Sequence, residues 1–378
     1  MSTVRASNIY DKDGTSNAVL YGVAAPTGSM GFRNRILNGD CRIDQRNAGA
    51  SVSGTSAVYT LDRWTVQNNS GAARFNVQQN VNSITPPAGF KNYLGITSTA
   101  AYSVAAGDVI GIQQFIEGYN IADLAWGTAS AATVTLSFCV RSSLTGTFGG
   151  SLVEGATGGA FYPFSYTISA ANTWEQKTVT IAGPTIGTWN STNGRGIQVL
   201  FSMGVGSTYT GSAGSWTASN FYAPTGATSV VGTNGATFYI TGVQLEAGTV
   251  ASPFERRDYG RELMMCQRYL PVWSNRGGAG NAAVGVGQLY STTQAVVVLP
   301  YPVTPRVQPT GITVGGGTSY VYNAGATLLT ASSLVFNSAS LSGVQVVPTF
   351  TASGTAAGNA TNLLFDTSCF IYATGCEL

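Results

Sequence analysis

Between Ile36 and Val243 the apolar residues fall in short runs of period two, and no helical period intervenes. In ATVTLSFCVR, Val134, Leu136 and Phe138 take one side of an extended chain while Thr133, Thr135 and Ser137 take the other. Successive side chains of a strand point to opposite faces, so this alternation demands a sheet with one buried face. Clusters of Gly, Ser, Thr and Asn separate the runs, as turns require. Strands are predicted near residues 59–68, 73–79, 93–98, 109–116, 132–141, 161–168, 175–181, 197–203 and 236–243. Short strands with no helices between them build a β-sandwich of jelly-roll type.

The stretch TGVQLEAGTVASPFERRDYGRELMMCQRYL, residues 241–270, breaks that pattern. It gathers Glu246, Glu255, Arg256, Arg257, Asp258, Arg261, Glu262 and Arg268 in a chain that is only 9% charged. Ser252-Pro253-Phe254-Glu255 has the form of a capping box with proline at the first helical position, where its missing N–H costs nothing. Tyr259, Leu263, Cys266 and Leu270 follow at i, i+4, i+7 and i+11, one apolar stripe. A single short amphipathic helix is therefore predicted over residues 251–270. Its arginine–carboxylate cluster, with Arg257 and Arg261 as candidate contact residues, reads either as a network at a domain or subunit junction or as a solvated face.

Residues 271–378 return to β-periodicity, with strands predicted near 284–289, 295–302, 311–314, 319–322, 334–336, 343–350 and 363–373. Prolines 300, 302, 305 and 309 point to an edge strand leaving into a crossing segment. Only Arg276, Arg306, Asp366 and Glu377 are charged here, and so few charges do little to keep surfaces apart, which implies subunit contacts. Residues 1–35 lack periodicity and read as an extended arm lying against a partner, with Ile9, Tyr10, Leu20 and Tyr21 as contact residues. The expected architecture is mainly β: an N-terminal arm (1–35), a jelly-roll-like sandwich (36–250), a connecting helix (251–270) and a distal β-sandwich (271–378).

Histidine is absent, which removes Ser-His-Asp and Cys-His chemistry and every histidine-ligated metal, so no cofactor or metal is expected. Sixteen acidic residues leave paired-carboxylate glycoside cleavage open, but Asp62, Glu117 and Glu154 stand isolated and read as turn or surface carboxylates. Glycine patterns such as Gly315-Gly316-Gly317 lack the helix and lysine of a phosphate loop. With net charge +2 and no basic run, neither nucleic acid nor an anionic membrane surface is an expected partner. The start MSTVRASNIYDKDG has no apolar core of an export signal, and no apolar run approaches a membrane span. The five cysteines read as buried free thiols, with Cys369 and Cys376 able to bridge if the chain were exported.

Aromatic residues are the better functional lead, because flat rings stack on sugar faces. Trp64 and Trp174 are expected in the core. Trp216, in a long polar loop with Tyr209, Phe221 and Tyr222, and Trp273, Tyr290, Tyr320 and Tyr322 in the charge-poor distal region, are the candidate glycan-binding residues.

NRILNGDCRIDQRN (34–47), YTLDRW (59–64), QQFIEG (113–118), TLSFCVRSSLTGTFGG (135–150), TWEQKTVTIAGPTIGTW (173–189) and the 241–270 stretch together resemble a domain recurrent in bacteriophage tail-fibre and related virion fibre proteins, itself similar to jelly-roll carbohydrate-binding modules. VLPYPVTPRVQPTGITV likewise resembles the start of the distal β-domain of such fibres. The resemblance implies a non-enzymatic, homotrimeric fibre of a virion assembled in the host cytoplasm and released by lysis. Its arm would contact other virion proteins and its β-domains a host cell-surface polysaccharide. A neck, head or baseplate decoration and a polysaccharide depolymerase are the alternatives.

Overall fold

The computed structural model describes residues 32–323, 328–352 and 355–378, with the backbone of the paired two-residue strands Val19–Leu20 (β1) and Val23–Ala24 (β2). The chain divides into two compact units, residues 1–257 and 258–378.

The first unit continues with β3 (Val52–Ser53), β4 (Thr65–Asn68), β5 (Phe75–Gln79), β6 (Leu94–Ser98), β7 (Val109–Glu117), β8 (Val134–Ser142), β9 (Gly146–Glu154), β10 (Phe161–Ile168), β11 (Glu175–Ile181), β12 (Arg195–Val205), β13 (Thr210–Gly211), β14 (Ala223–Pro224) and β15 (Thr237–Ala247). A five-stranded sheet, β10-β9-β12-β7-β4, and a six-stranded sheet, β11-β8-β15-β6-β5-β3, hold its core. The chain crosses between them repeatedly, and only the sequence neighbours β5–β6 and β9–β10 pair directly within one of the two. Val134, Leu136 and Phe138 point into the core with Trp64, Ile112, Phe164 and Phe201, as their alternation requires. Phe138 meets Phe201 edge-on at 5.1 Å, an arrangement aromatic pairs favour.

Strand β9 escapes sequence reading because GTFGGSLVE looks like turn punctuation. Its glycines instead permit close strand packing: a Cβ on Gly150 would stand 1.9 Å from the Leu200 carbonyl oxygen.

The second unit opens with the helix α1 (Tyr259–Gln267), shorter and later than expected. Its N-cap is Asp258, whose carboxylate accepts from the Arg261 backbone N–H at 2.9 Å; Ser252 does not cap it. The buried stripe is Glu262, Cys266, Tyr269 and Leu270, and Tyr259 lies exposed.

After it come β16 (Val272–Ser274), β17 (Ala282–Leu289), β18 (Ala295–Pro300), β19 (Gly311–Gly315), β20 (Ser319–Asn323), β21 (Leu328–Ala339), β22 (Gly343–Phe350), β23 (Ala360–Phe365) and β24 (Phe370–Thr374). The β-character expected here holds, but the larger sheet closes on itself as a barrel, β17-β18-β22-β21-β20-β23, beside a three-stranded sheet, β16-β24-β19. Strand β18 is therefore no edge: it pairs on both sides, and Pro300 is tolerated because it is the last residue. Val297, Leu299, Val321, Val346, Leu363 and Phe365 fill the interior.

All five thiols are free; Cys139 is half-buried and the other four are buried. Among the described residues, no helix is long and apolar enough to cross a membrane.

Candidate functional site

The six-stranded sheet turns Ser137 and Cys139 of β8 away from the core, opposite to Phe138. Cys139 is flanked in register by Gln176 of β11 and Thr241 of β15. Two segments cross this outer face. The first, residues 85–90, ends in a tight turn in which Phe90 N–H donates to the Pro87 carbonyl at 3.0 Å. Gly89 supplies the positive φ (85°) that the turn's third position needs. The second, residues 252–256, is a strap tied to β15 by the buried side chains of Gln244 and Glu246. Ser252 donates its backbone N–H (2.8 Å) and hydroxyl (2.5 Å) to the Glu246 carboxylate, and Glu255 N–H donates to Gln244 Oε1 at 2.7 Å. Those bonds explain why Ser252-Pro253-Phe254-Glu255 is no capping box: the Ser252 N–H and hydroxyl are committed to Glu246 of β15, and the Glu255 carboxylate to the Asn34 N–H and Arg257.

Between turn and strap lies a groove of about 480 Å³, within the ~300–1,000 Å³ span of small-ligand sites. Its walls are Trp174, Phe90 and Phe254, its floor Ser137, Cys139 and Gly242, and its rim Glu175, Gln176 and Arg256. Phe90 and Phe254 meet edge-to-face at 5.2 Å. Gly242, at φ 64° in the bulge of β15 between Thr241 and Gln244, leaves room for Phe90; a Cβ there would stand 2.6 Å from its ring. Trp174 is oriented by its indole N–H, which donates to the Thr85 carbonyl at 2.9 Å, and by edge contact with Tyr93 at 5.7 Å. Expected in the core, Trp174 is only half-buried and faces this groove.

Glu175 is already occupied. Lys177 Nζ lies 2.5 Å from one carboxylate oxygen, and the other accepts from the Ser169 and Ala170 N–H groups. The Lys177 hydrogen bond foremost, then that from Ala170, hold its carboxyl below the ordinary range. Burial pushes the Cys139 thiol up.

The other candidates do not converge here. Trp216 is half-buried against Trp126 and Trp189, each 5.5 Å away, and its indole N–H donates to the Ala182 carbonyl at 2.6 Å. Trp273 is only 8% exposed: its indole N–H donates to the Pro300 carbonyl and its ring packs on Tyr301, so it is core and offers no free face. Tyr320 and Tyr322 share one face of β20, with Tyr322 exposed, while exposed Tyr290 sits in the turn after β17, its hydroxyl bonded to Gln294 Oε1.

Arg257 is buried within the first unit, where it binds the Asn34 and Ile36 carbonyls and Glu255 at 3.0 Å. Arg261 is exposed on α1 of the second unit. Ile9, Tyr10 and Tyr21, and the side chain of Leu20, lie outside the described residues. Of the groove residues, Phe90, Phe254 and Arg256 were missed by sequence reasoning; the doubled proline and glycine of PPAGF are the one local signal of a rigid turn there.

No protein-family model and no curated protein matches the sequence. Among solved structures, the chain is similar to the enzymatically active domain of tailspike protein 4 from bacteriophage CBA120, at 13% identity and TM-score 0.32, over 57% of this chain and 21% of that one. It is similar to the family 11 carbohydrate-binding module from Clostridium thermocellum in complex with a β-1,3-1,4-mixed-linked tetrasaccharide, at 10% identity and TM-score 0.27, over 54% and 97%. It is also similar to the N-terminal CBM22-1–CBM22-2 tandem domain of Xyn10C from Paenibacillus barcinonensis, at 9% identity and TM-score 0.26, over 87% and 98%. At such identities and scores no residue role passes to this chain.

Proposed function

We propose that the first unit is a carbohydrate-binding module and that the chain is a non-enzymatic fibre component of a bacteriophage particle that contacts a host surface glycan. The observation that carries the binding role is the groove walled by Trp174, Phe90 and Phe254 and rimmed by polar groups, since sugar rings are recognised by stacking combined with a few oriented hydrogen bonds. A binding role is favoured over cleavage because the groove lining carries one carboxylate, Glu175, already committed to Lys177, whereas glycoside hydrolysis uses two. The virion setting is supported by the motifs between residues 34 and 270. Homotrimer formation, with residues 1–35 engaging other virion proteins, is supported by the sparse charge of residues 271–378 and by Val286, Val298, Val335 and Leu341 standing exposed on the distal unit.

The binding role is tested by screening the full chain on a glycan array and titrating hits calorimetrically. Trp174→Ala should weaken a bound saccharide at least tenfold without changing the circular dichroism spectrum, and Trp174→Phe should recover part of the loss. A hit whose affinity is indifferent to both substitutions, or an array with no hit, overturns the assignment.

A further inference from the structure

The groove's charges are unbalanced, and the imbalance names a ligand class. Glu175 is neutralised by Lys177 at 2.5 Å. Arg256 has no such counterpart: among the described residues its guanidinium makes neither a hydrogen bond nor an ion pair. Its guanidinium carbon lies instead 4.8 Å from the centroid of the Phe90 ring and 5.8 Å from that of Phe254. Those contacts hold it at the groove's lip and leave its N–H groups free, a placement in which cation–π attraction fixes the plane without using a donor. The 87–90 turn closes against the same group: a Cβ on Gly89 would stand 2.8 Å from Arg256 Nη2, and at φ 85° that position disfavours any side chain. An arginine anchored by its faces and open at its fork matches a planar carboxylate, to which it can donate two parallel hydrogen bonds.

We infer that the saccharide bound in this groove is acidic, a uronate-containing glycan whose carboxylate meets Arg256 while a sugar ring stacks on Trp174. This rests on the groove being a saccharide site at all, and the test separates the two. The full-length chain is titrated with uronate oligomers (galacturonate, mannuronate and glucuronate series), each alongside its methyl-esterified counterpart, with neutral glucans, and with a sulfated galactan oligomer.

The expected result is that at least one uronate oligomer binds tenfold or more tightly than its ester. Added salt should erode that preference, and Arg256→Gln should abolish it, so that acid and ester bind alike. Arg256→Lys, which keeps the charge but not the fork, should retain only part of it. Equal affinity for acid and ester, a preference that survives Arg256→Gln, or binding of neutral glucans alone overturns the acidic assignment and leaves the saccharide site standing. Tighter binding of the sulfated oligomer than of any uronate overturns the carboxylate. Failure of every saccharide, neutral or acidic, removes the underlying site.

Discussion

Two arginines that the sequence presents as equals have opposite roles at the residue scale. Arg257 is 7% exposed and donates to the carbonyls of Asn34 and Ile36 while pairing with Glu255, whose carboxylate also accepts the Asn34 N–H at 2.6 Å. It clamps the entry of the sandwich to the strap that leaves it. Removing one partner of such a buried network leaves carbonyls and a carboxylate without donors, so Arg257→Met should cost the first unit about 3 kcal/mol in urea unfolding. Arg261→Gln, on an exposed helix position, should stay within ~0.5 kcal/mol. That Arg257 is buried is illegible in RRDYGR, because the assumption of a helix capped at Ser252 starts it six residues before the actual cap, Asp258. The same assumption hid Arg256, whose place at the groove exists only once residues 252–256 run as a strap along β15.

At the scale of elements, long strands were legible wherever one face is apolar and the other polar, as in β8 and β11. What was lost is whatever depends on a neighbour: β9, whose glycines look like turns, and Trp174, which a strand edge alone cannot mark as core or wall. The groove is the product of three such neighbours meeting, the 85–90 turn, the 252–256 strap and the bulge of β15. Gly242 is the position on which they converge, since its φ of 64° is unfavourable for other residues and its missing Cβ admits the Phe90 ring. Gly242→Ala should therefore destabilise the first unit by about 1–3 kcal/mol and displace Phe90. Cys139 on the groove floor reports the displacement. As the one thiol not fully buried, it should be alkylated faster in Gly242→Ala than in the parent at the same pH. In both proteins the rate should climb with alkaline pH, because burial raises the thiol's pKa and the thiolate is the nucleophile. An unchanged alkylation rate would show that Phe90 is held by something other than the gap at Gly242.

On the scale of the whole molecule, two cores belonging to different stretches of chain imply two thermal transitions, and Asp366 contributes to the acid sensitivity of the second. Asp366 sits in the turn between β23 and β24, where it accepts the N–H groups of Thr318 (2.6 Å), Ser368 (2.9 Å) and Cys369 (2.9 Å) and the Ser368 hydroxyl (3.0 Å). It thereby ties the barrel strand β23 to β24 of the three-stranded sheet and to the segment before β20. These donors, the Thr318 N–H foremost, hold its carboxyl down at about 2, against an ordinary value of 3.8. A group whose pKa is depressed by folding stabilises the folded state above its unfolded pKa, and that contribution fades as pH falls toward the folded value. The stabilisation from Asp366 is thus complete above about pH 4 and lost progressively down to about pH 2. In scanning calorimetry of the full chain, Asp366→Asn should lower only the transition of the second unit at neutral pH, and the gap from the parent should close between pH 4 and pH 2. A gap that persists at pH 2 would mean that the aspartate acts by shape and hydrogen bonding rather than by charge. A shift of both transitions together would mean that the two units unfold as one.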